Sequence, residues 1–301
     1  MLRRVQKYIR DYQLLAPDDR VLIGVSGGAD SMALWDVLQR AGYNCIIAHC
    51  NFQLRQQESQ RDEIFVTQEA IRRQHQNEKT KLLIKHFNTN EYAKQHAISI
   101  EMAARELRYQ WFEEMAEIYQ CQAIAVAHHQ NDQAETVLLN LKRGTGIRGL
   151  CGMRPISNNP TGGNIPIIRP LLCTTREYIQ HYLKNIRHIT WVEDSTNQDT
   201  NFTRNAIRQQ IAHYTKAEIE HIAATAEYMQ GYVDWIENKN TTQAETIKLF
   251  EQLREYHFPE INKIYQALQT KEGGKTFYAP KHKATIRKGK LIIECLETSK
   301  K

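Results

Sequence analysis

The run Val21-Leu22-Ile23-Gly24-Val25 stops abruptly at Ser26-Gly27-Gly28. A short apolar stretch rich in β-branched residues reads as a buried strand, and two glycines behind it read as a tight turn. From Met32 to Ala41 the pattern becomes helical. Together these form a strand, a glycine turn and a helix start, an order that builds an anion site. The first N–H groups of the helix have no intrahelical partner, and its dipole favours negative charge there. Gly27 and Gly28 let a phosphate approach the backbone, and Ser26 and Ser31 offer hydroxyls. Asp30 would repel a phosphate unless it carries Mg²⁺ that bridges the two. No Gly-Lys-Ser/Thr follows, so the loop is not a Walker A motif. The bland alternative is a glycine turn with Asp30 at a helix N-terminus.

The same alternation continues for over a hundred residues. Further strands are expected at Cys45–Cys50, Leu82–Phe87 and Ala123–Ala127, with helices at Gln57–His75, within Glu91–Tyr119 and at Asp132–Leu141. Strands alternating with helices imply an α/β fold, a doubly wound parallel sheet covered on both faces. Such sheets bind ligands at the carboxyl ends of their strands. Three of the strand ends are polar: Ser26, His49 with Asn51, and His128 with His129. One cleft along that rim would gather them.

Beyond Leu141 the texture changes. Lys142 to Pro170 is rich in Gly and Pro with little periodicity, as functional loops are. Helical patterns return at Thr175–Ile186, Asn205–Ala212 and, with interruptions near Asn238 and Pro259, Ala217–Leu268. Thr276–Leu296 alternates apolar and basic residues and suggests short strands. We expect a catalytic domain at 1–214 and a smaller, mainly helical domain at 215–301. The 301-residue length fits two domains. No run approaches the ~20 apolar residues of a membrane span, and the amphipathic start lacks a secretory signal's features. Six scattered cysteines without a C-x-x-C pair argue against a zinc site, a redox pair or a disulfide framework. A cytoplasmic home is expected. Of the net charge of +6, all resides in Lys275–Lys301, which carries eight Lys/Arg against two Glu. That end suits a polyanionic partner, although a solubilising edge explains the charge equally well.

Ser26-Gly27-Gly28-Ala29-Asp30-Ser31 resembles the pyrophosphate loop of the N-type ATP pyrophosphatases, the PP-loop ATPases. Five further segments resemble the tRNA(Ile)-lysidine synthetases among them. These are His49-Cys50-Asn51-Phe52-Gln53-Leu54-Arg55, Glu101 to Tyr109, and Ala127-His128-His129-Gln130-Asn131-Asp132-Gln133-Ala134-Glu135-Thr136. The fourth is Asn140 to Gly146 leading to Arg169-Pro170-Leu171-Leu172, and the fifth Asp194-Ser195-Thr196-Asn197 with Arg204 to Arg208 downstream. They cover residues 20–210 in the family's order; the likeness weakens after Tyr214. The resemblance implies that ATP adenylates the C2 carbonyl oxygen of the wobble cytidine in a CAU-anticodon isoleucine tRNA. Free L-lysine then displaces AMP. ATP and Mg²⁺ are the implied small molecules.

The residues can be read beside that family. Asp132 and Glu135 lie three apart at a helix start and share a face. A carboxylate pair can hold the lysine amine, whose proton must leave before attack. Either could instead join Asp30 as a Mg²⁺ ligand, with Asp132 taken as the second; both uses stay open. His128 could orient the nucleotide or relay a proton. Arg105 and Arg108 share a helical face and suit charge building on the phosphates, Arg108 being preferred. His49 and Asn51 stand where a nucleotide base or ribose would rest. Arg143, Arg148, Arg204 and Arg208 suit RNA phosphates. The expected catalytic set is thus Asp30, Arg108, His128, Asp132 and Glu135. Rival readings are a tRNA thiolase of the same fold, which the cysteine spacing disfavours, and a non-catalytic nucleotide- or RNA-binding module. A homodimer is left open.

Overall fold

The computed structural model describes residues 1–54, 56–75, 80–193, 203–237, 249, 251–270, 273–287 and 290–296. Two compact units emerge, Met1–Gln133 with Arg154–Lys216, and Ala134–Met153 with Ala217–Lys301. The segment 134–153 therefore groups with the C-terminal part of the chain.

The first unit is built on a six-stranded sheet ordered β3-β2-β1-β4-β6-β5. Its strands are β1 (Arg20–Gly24), β2 (Asn44–Asn51), β3 (Lys81–His86), β4 (Ala123–Ala125), β5 (Ile156–Ser157) and β6 (Ile167–Ile168). All neighbours run parallel except β5, which pairs antiparallel with β6. The Gly- and Pro-rich stretch expected to be irregular thus contributes an antiparallel edge. Side chains alternate across the sheet, as the two-residue strand period requires. Val21 and Ile23 of β1, Cys45 and Ile47 of β2, and Ala123 and Ala125 of β4 enter one apolar cluster. Leu22, Ile46, Ala48 and Ile124 enter another on the opposite face.

Helices cover both faces. On the first lie α1 (Leu2–Asp11), α2 (Ala29–Arg40) and part of α3 (Gln56–His75). On the second lies α5 (Ile100–Ile118), which follows the short α4 (Thr89–Gln95) and contributes Tyr109, Trp111 and Phe112. Ser99 caps α5 by accepting the Met102 N–H at 3.2 Å. Phe112 packs so close to β1 that a Cβ on Gly24 would fall 2.7 Å from its ring.

The chain winds outward from β1 through β2 to β3, then returns to β4 on β1's other side. The order therefore reverses between β1 and β4, and a crevice opens outside the carboxyl ends of strands at such a switch point. Its two walls are the glycine turn after β1 and the histidine pair after β4.

One buried ionic cluster ties α2 to later elements. Asp36, 1% exposed, accepts the Tyr182 hydroxyl at 2.5 Å and the Arg187 Nε–H at 3.1 Å. Arg73 of α3 approaches the same carboxylate at 3.8 Å and lies over the Trp35 ring. Tyr182 and Arg187 belong to a π-helical turn, Tyr182–Arg187, that extends α8 (Arg176–His181).

The second unit contains a three-stranded antiparallel sheet, β7 (Thr276–Tyr278), β8 (His282–Arg287) and β9 (Lys290–Cys295). The alternating C-terminal pattern forms these strands. Ala284 and Ile286 of β8 pack with Phe277, Phe258 and Ile264. The last two flank or belong to helix α11 (Ile261–Gln269), which follows α10 (Lys216–Glu237).

Candidate active site

The loop after β1 is shaped by its own hydroxyls. The Ser31 Oγ–H donates to the Gly28 carbonyl at 3.0 Å, and the Ser26 N–H donates to the Ser31 Oγ at 3.2 Å. The Ser26 Oγ accepts the Gly28 N–H at 3.3 Å. Gly27 sits at φ +95°, a conformation that costs any other residue energy. Gly28 is the N-cap of α2 and supplies no side chain to cap it. The first amides of α2 are thus left for a ligand at the dipole's positive end. Beside the loop, the Val192 N–H donates to the Gly27 carbonyl at 2.9 Å and braces it.

Asp30 stands in the first turn of α2. Its Oδ1 is buried with no hydrogen-bond partner among the described residues. Its Oδ2 faces the Nε2 of buried His129 at 3.4 Å. Asp30 and the post-β4 segment therefore meet across the switch point.

His129 precedes α6 (Gln130–Lys142) and acts as its N-cap. Its Nδ1 accepts the Asp132 N–H at 3.4 Å, while the Asp132 Oδ2 accepts the His129 N–H at 3.0 Å. This reciprocal pair is a capping box with a histidine in the capping position. In the neutral ring Nδ1 accepts the Asp132 N–H; in the charged ring Nδ1 becomes a donor, and the Asp132 carboxylate 3.3 Å away and Asp30 clasp the imidazolium from its two nitrogens. Burial pushes the His129 pKa down, but Asp132 and Asp30 outweigh it and the net shift is upward. Burial pushes Asp132 up, but the two histidines win and hold its carboxyl below the usual range. The helix start is docked by the Gln130 N–H on the Thr174 carbonyl and by Asn131, which accepts the Arg176 N–H. Glu135, one turn beyond Asp132 on α6, is buried.

His128 meets a residue that sequence reasoning left without a role. Arg169 donates its Nε–H to His128 Nδ1 at 3.2 Å. Its Nη1 donates both to the Arg154 carbonyl at 2.8 Å and to the Ser157 hydroxyl at 3.0 Å. Burial, with Arg169, His129 and Arg105 nearby, pushes the His128 pKa down to about 4 despite Asp132.

The remaining candidates fall around this centre. Arg105 acts electrostatically on both His128 and Arg169, while half-buried Arg108 lies over the Phe52 ring at the end of β2. His49 is buried, with its Nδ1 2.8 Å from the Val25 carbonyl. A carbonyl only accepts, so Nδ1 carries the proton and braces β2 against the loop. Asn51 donates to Glu63 and to the Ser59 carbonyl and accepts from the Gln53 N–H. These two residues are engaged in shaping the rim. Arg208 exerts its charge on Asp132. Arg143 and Arg148 are exposed in the 134–153 segment. The Arg204 side chain and the whole of 194–202, including Asp194 to Asn197, lie outside the described residues. Among the described residues no group of three His, Cys, Asp or Glu could hold a metal ion, so a cation here would lean on Asp30 and on its ligand's own oxygens.

A glycine-turn anion site at the switch point of a parallel sheet, with a carboxylate in the first helical turn, defines a PP-loop domain. Residues 1–215 match the PP-loop domain family, and residues 233–296 match the TilS substrate binding domain family. The chain belongs to the tRNA(Ile)-lysidine synthase family. It is 43% identical to the tRNA(Ile)-lysidine synthase of Parabacteroides distasonis, covering 100% of this chain and 72% of that one. It is 52% identical to the enzyme of Bacteroides thetaiotaomicron over 68% of this chain and 45% of that relative's length. The match therefore spans less than half of the latter. In fold it resembles the solved U34-tRNA thiolase NcsA of Methanococcus maripaludis, with a TM-score of 0.56 and 15% identity, covering 80% of each chain. No helix among the described residues is long and apolar enough to cross a membrane.

Proposed function

We propose that this chain is an ATP-dependent carbon–nitrogen ligase that makes lysidine at the wobble cytidine of a CAU-anticodon isoleucine tRNA. The observation that carries the reading is the link across the switch point from Asp30 of the phosphate loop, through His129, to Asp132 of α6. It supports a pyrophosphate-holding loop next to the Asp132 carboxylate, a group suited to an amine.

In the proposed reaction the C2 carbonyl oxygen of cytidine attacks the α-phosphorus of ATP and diphosphate leaves. The lysine ε-amine then attacks C2, and AMP departs with the former carbonyl oxygen. The uncapped amides of α2 and the serine hydroxyls bind the diphosphate portion. Arg108 and Arg105 offset the charge that builds there. Asp132 and Glu135 hold the lysine amine and accept its proton. His49 and Asn51 keep the loop and β2 in register beside the nucleoside of ATP. Arg143, Arg148, Arg204 and Arg208 contact tRNA phosphates, with residues 215–301 as the tRNA-binding domain.

Mg²⁺ fits one feature of the protein: the buried, unpartnered Asp30 Oδ1 suits a hard cation that keeps water and phosphate as its other ligands. When bound, the ion would neutralise phosphate charge; Asp132, already engaged with His129, is the weaker second candidate. ATP and tRNA place the work in the cytoplasm.

The test is AMP release from purified chain. AMP should appear only when ATP, Mg²⁺, lysine and that tRNA are all present, and Asp30→Ala should abolish it while the thermal melt stays cooperative. AMP release without tRNA, or none with the full set, sinks the reading.

A further inference from the structure

We propose that Arg169 is a positioning residue that fixes His128 as a neutral ring with its proton on Nε2. His128 then meets its ligand as a hydrogen-bond donor and does not act as a base.

The inference starts from donor inventory. A guanidinium has N–H donors and no acceptor. The Arg169 Nε–H points at His128 Nδ1 over 3.2 Å, so Nδ1 must be the unprotonated nitrogen. A neutral imidazole carries one proton, which then sits on Nε2. Protonating Nδ1 would set two N–H groups against each other and two cations side by side.

Arg169 is built to hold that pose. Its backbone N–H is bonded to the Pro155 carbonyl at 2.9 Å, and Pro170 behind it opens a tight turn. The side chain is buried and anchored by the Arg154 carbonyl and the Ser157 hydroxyl. Ser157 belongs to the antiparallel edge made by β5 and β6, and Arg154 stands two residues before β5. The hairpin thus carries a guanidinium to the end of β4, where His128 stands. A lysine could not serve all three acceptors from one nitrogen in this planar arrangement. The low pKa of His128 agrees, since burial and the neighbouring cations both disfavour the charged ring.

With its proton on Nε2, His128 suits an oxygen that gains negative charge. At this switch point, next in sequence to the His129 that faces Asp30, that oxygen belongs to a nucleotide phosphate. This last step rests on the function proposed above, whereas the tautomer does not.

The experiment is long-range ¹H–¹⁵N correlation on ¹⁵N-histidine-labelled full chain, with His128 assigned by His128→Gln. The wild-type protein at neutral pH should show a pyridine-like Nδ1 and a protonated Nε2. A protonated Nδ1 or a doubly protonated ring overturns the proposal, and this readout needs only the assigning variant His128→Gln to fold. Arg169→Lys should release the ring into a tautomer mixture; an unchanged pure Nε2–H spectrum in that variant also overturns it. Kinetics add a second readout. Gln presents its amide near the Nε2 position and Asn near the Nδ1 position. His128→Gln should keep kcat within roughly tenfold of wild type, while His128→Asn loses about a hundredfold or more. Equal losses in both variants contradict the donor role. The expected tautomer together with no AMP release would refute the reaction while leaving the Arg169 assignment intact.

Discussion

Gly27 and Gly28 are neighbours with different jobs, and a single methyl group separates them. At Gly27 the backbone has φ +95°, and a Cβ would meet Val66, Phe65 and Val192 at 3.4, 3.5 and 3.6 Å, all ordinary contacts. Space is available, so Gly27→Ala is penalised by conformation alone, about 1–2 kcal/mol. At about 2–4 °C per kcal/mol for a chain of this size, the melt should fall by a few degrees. At Gly28 the backbone is extended, φ −73° and ψ 162°, which any residue adopts. A Cβ there would meet only the Ser26 Oγ at 3.5 Å and the Val192 carbonyl at 3.9 Å. Alanine is a poorer N-cap than glycine by about 0.5–1 kcal/mol. It gains a similar amount by stiffening the unfolded chain. Gly28→Ala should therefore melt with wild type. The methyl group would nonetheless be added at the N-cap, next to the uncapped amides where phosphate is proposed to bind. Loss of one charge-assisted hydrogen bond there is worth about 1.5–3 kcal/mol, or at least roughly tenfold in the KM for ATP. Ligand-free thermal melts and AMP-release kinetics on both variants decide the matter. If the two melt alike, or if Gly28→Ala leaves the KM for ATP unchanged, the division between a conformational and a phosphate-binding glycine is wrong.

Other outcomes follow from the packing and the charges. Asp36→Ala should cost about 1–3 kcal/mol in urea unfolding, because it removes the buried acceptor of the Tyr182 hydroxyl and the Arg187 Nε–H, while Arg73 keeps Glu69. Gly24→Ala should cost about 1–3 kcal/mol through its clash with Phe112, with Phe112→Leu recovering part of the loss in a double-mutant cycle. The raised pKa of buried His129 stabilises the fold fully below its unfolded value of about 6.5, and that contribution fades as pH rises through the folded value. The destabilisation by His129→Asn should thus be larger at pH 6 than at pH 9. His128 has the opposite sign: its depressed pKa withdraws stability as pH falls from about 6.5 toward 4, so His128→Gln should flatten that part of the stability curve.

The glycine turn after β1 and the parallel core were legible in sequence because both are written locally. Val21 to Gly28 carries its own strand period and its own glycine turn. The pairing of His128 with Arg169 was not, since their 41-residue separation is closed only by registering β6 on β4. A two-residue strand such as β5 leaves no periodicity to read. The Asp36 cluster spans even larger separations, to Tyr182 and Arg187. His129 left a readable trace, a polar residue before a helix with an acid three positions on, the spacing of a capping box. Its reach to Asp30 needed the fold. Between the two arginines of α5, the resemblance to the family's R-x-x-R-Y pattern favoured Arg108, and the structure adds that the charge of Arg105 acts on His128.

The most direct test is the identity of the wobble nucleoside after reaction. The chain is incubated with ATP, Mg²⁺, isotope-labelled L-lysine and a CAU-anticodon isoleucine tRNA transcript, then the RNA is digested and analysed by mass spectrometry. The account predicts that the wobble cytidine is replaced by a nucleoside carrying one lysine joined through its ε-nitrogen, with one AMP formed per modified base. An unaltered cytidine, or a base that has gained sulfur in place of lysine, would contradict it.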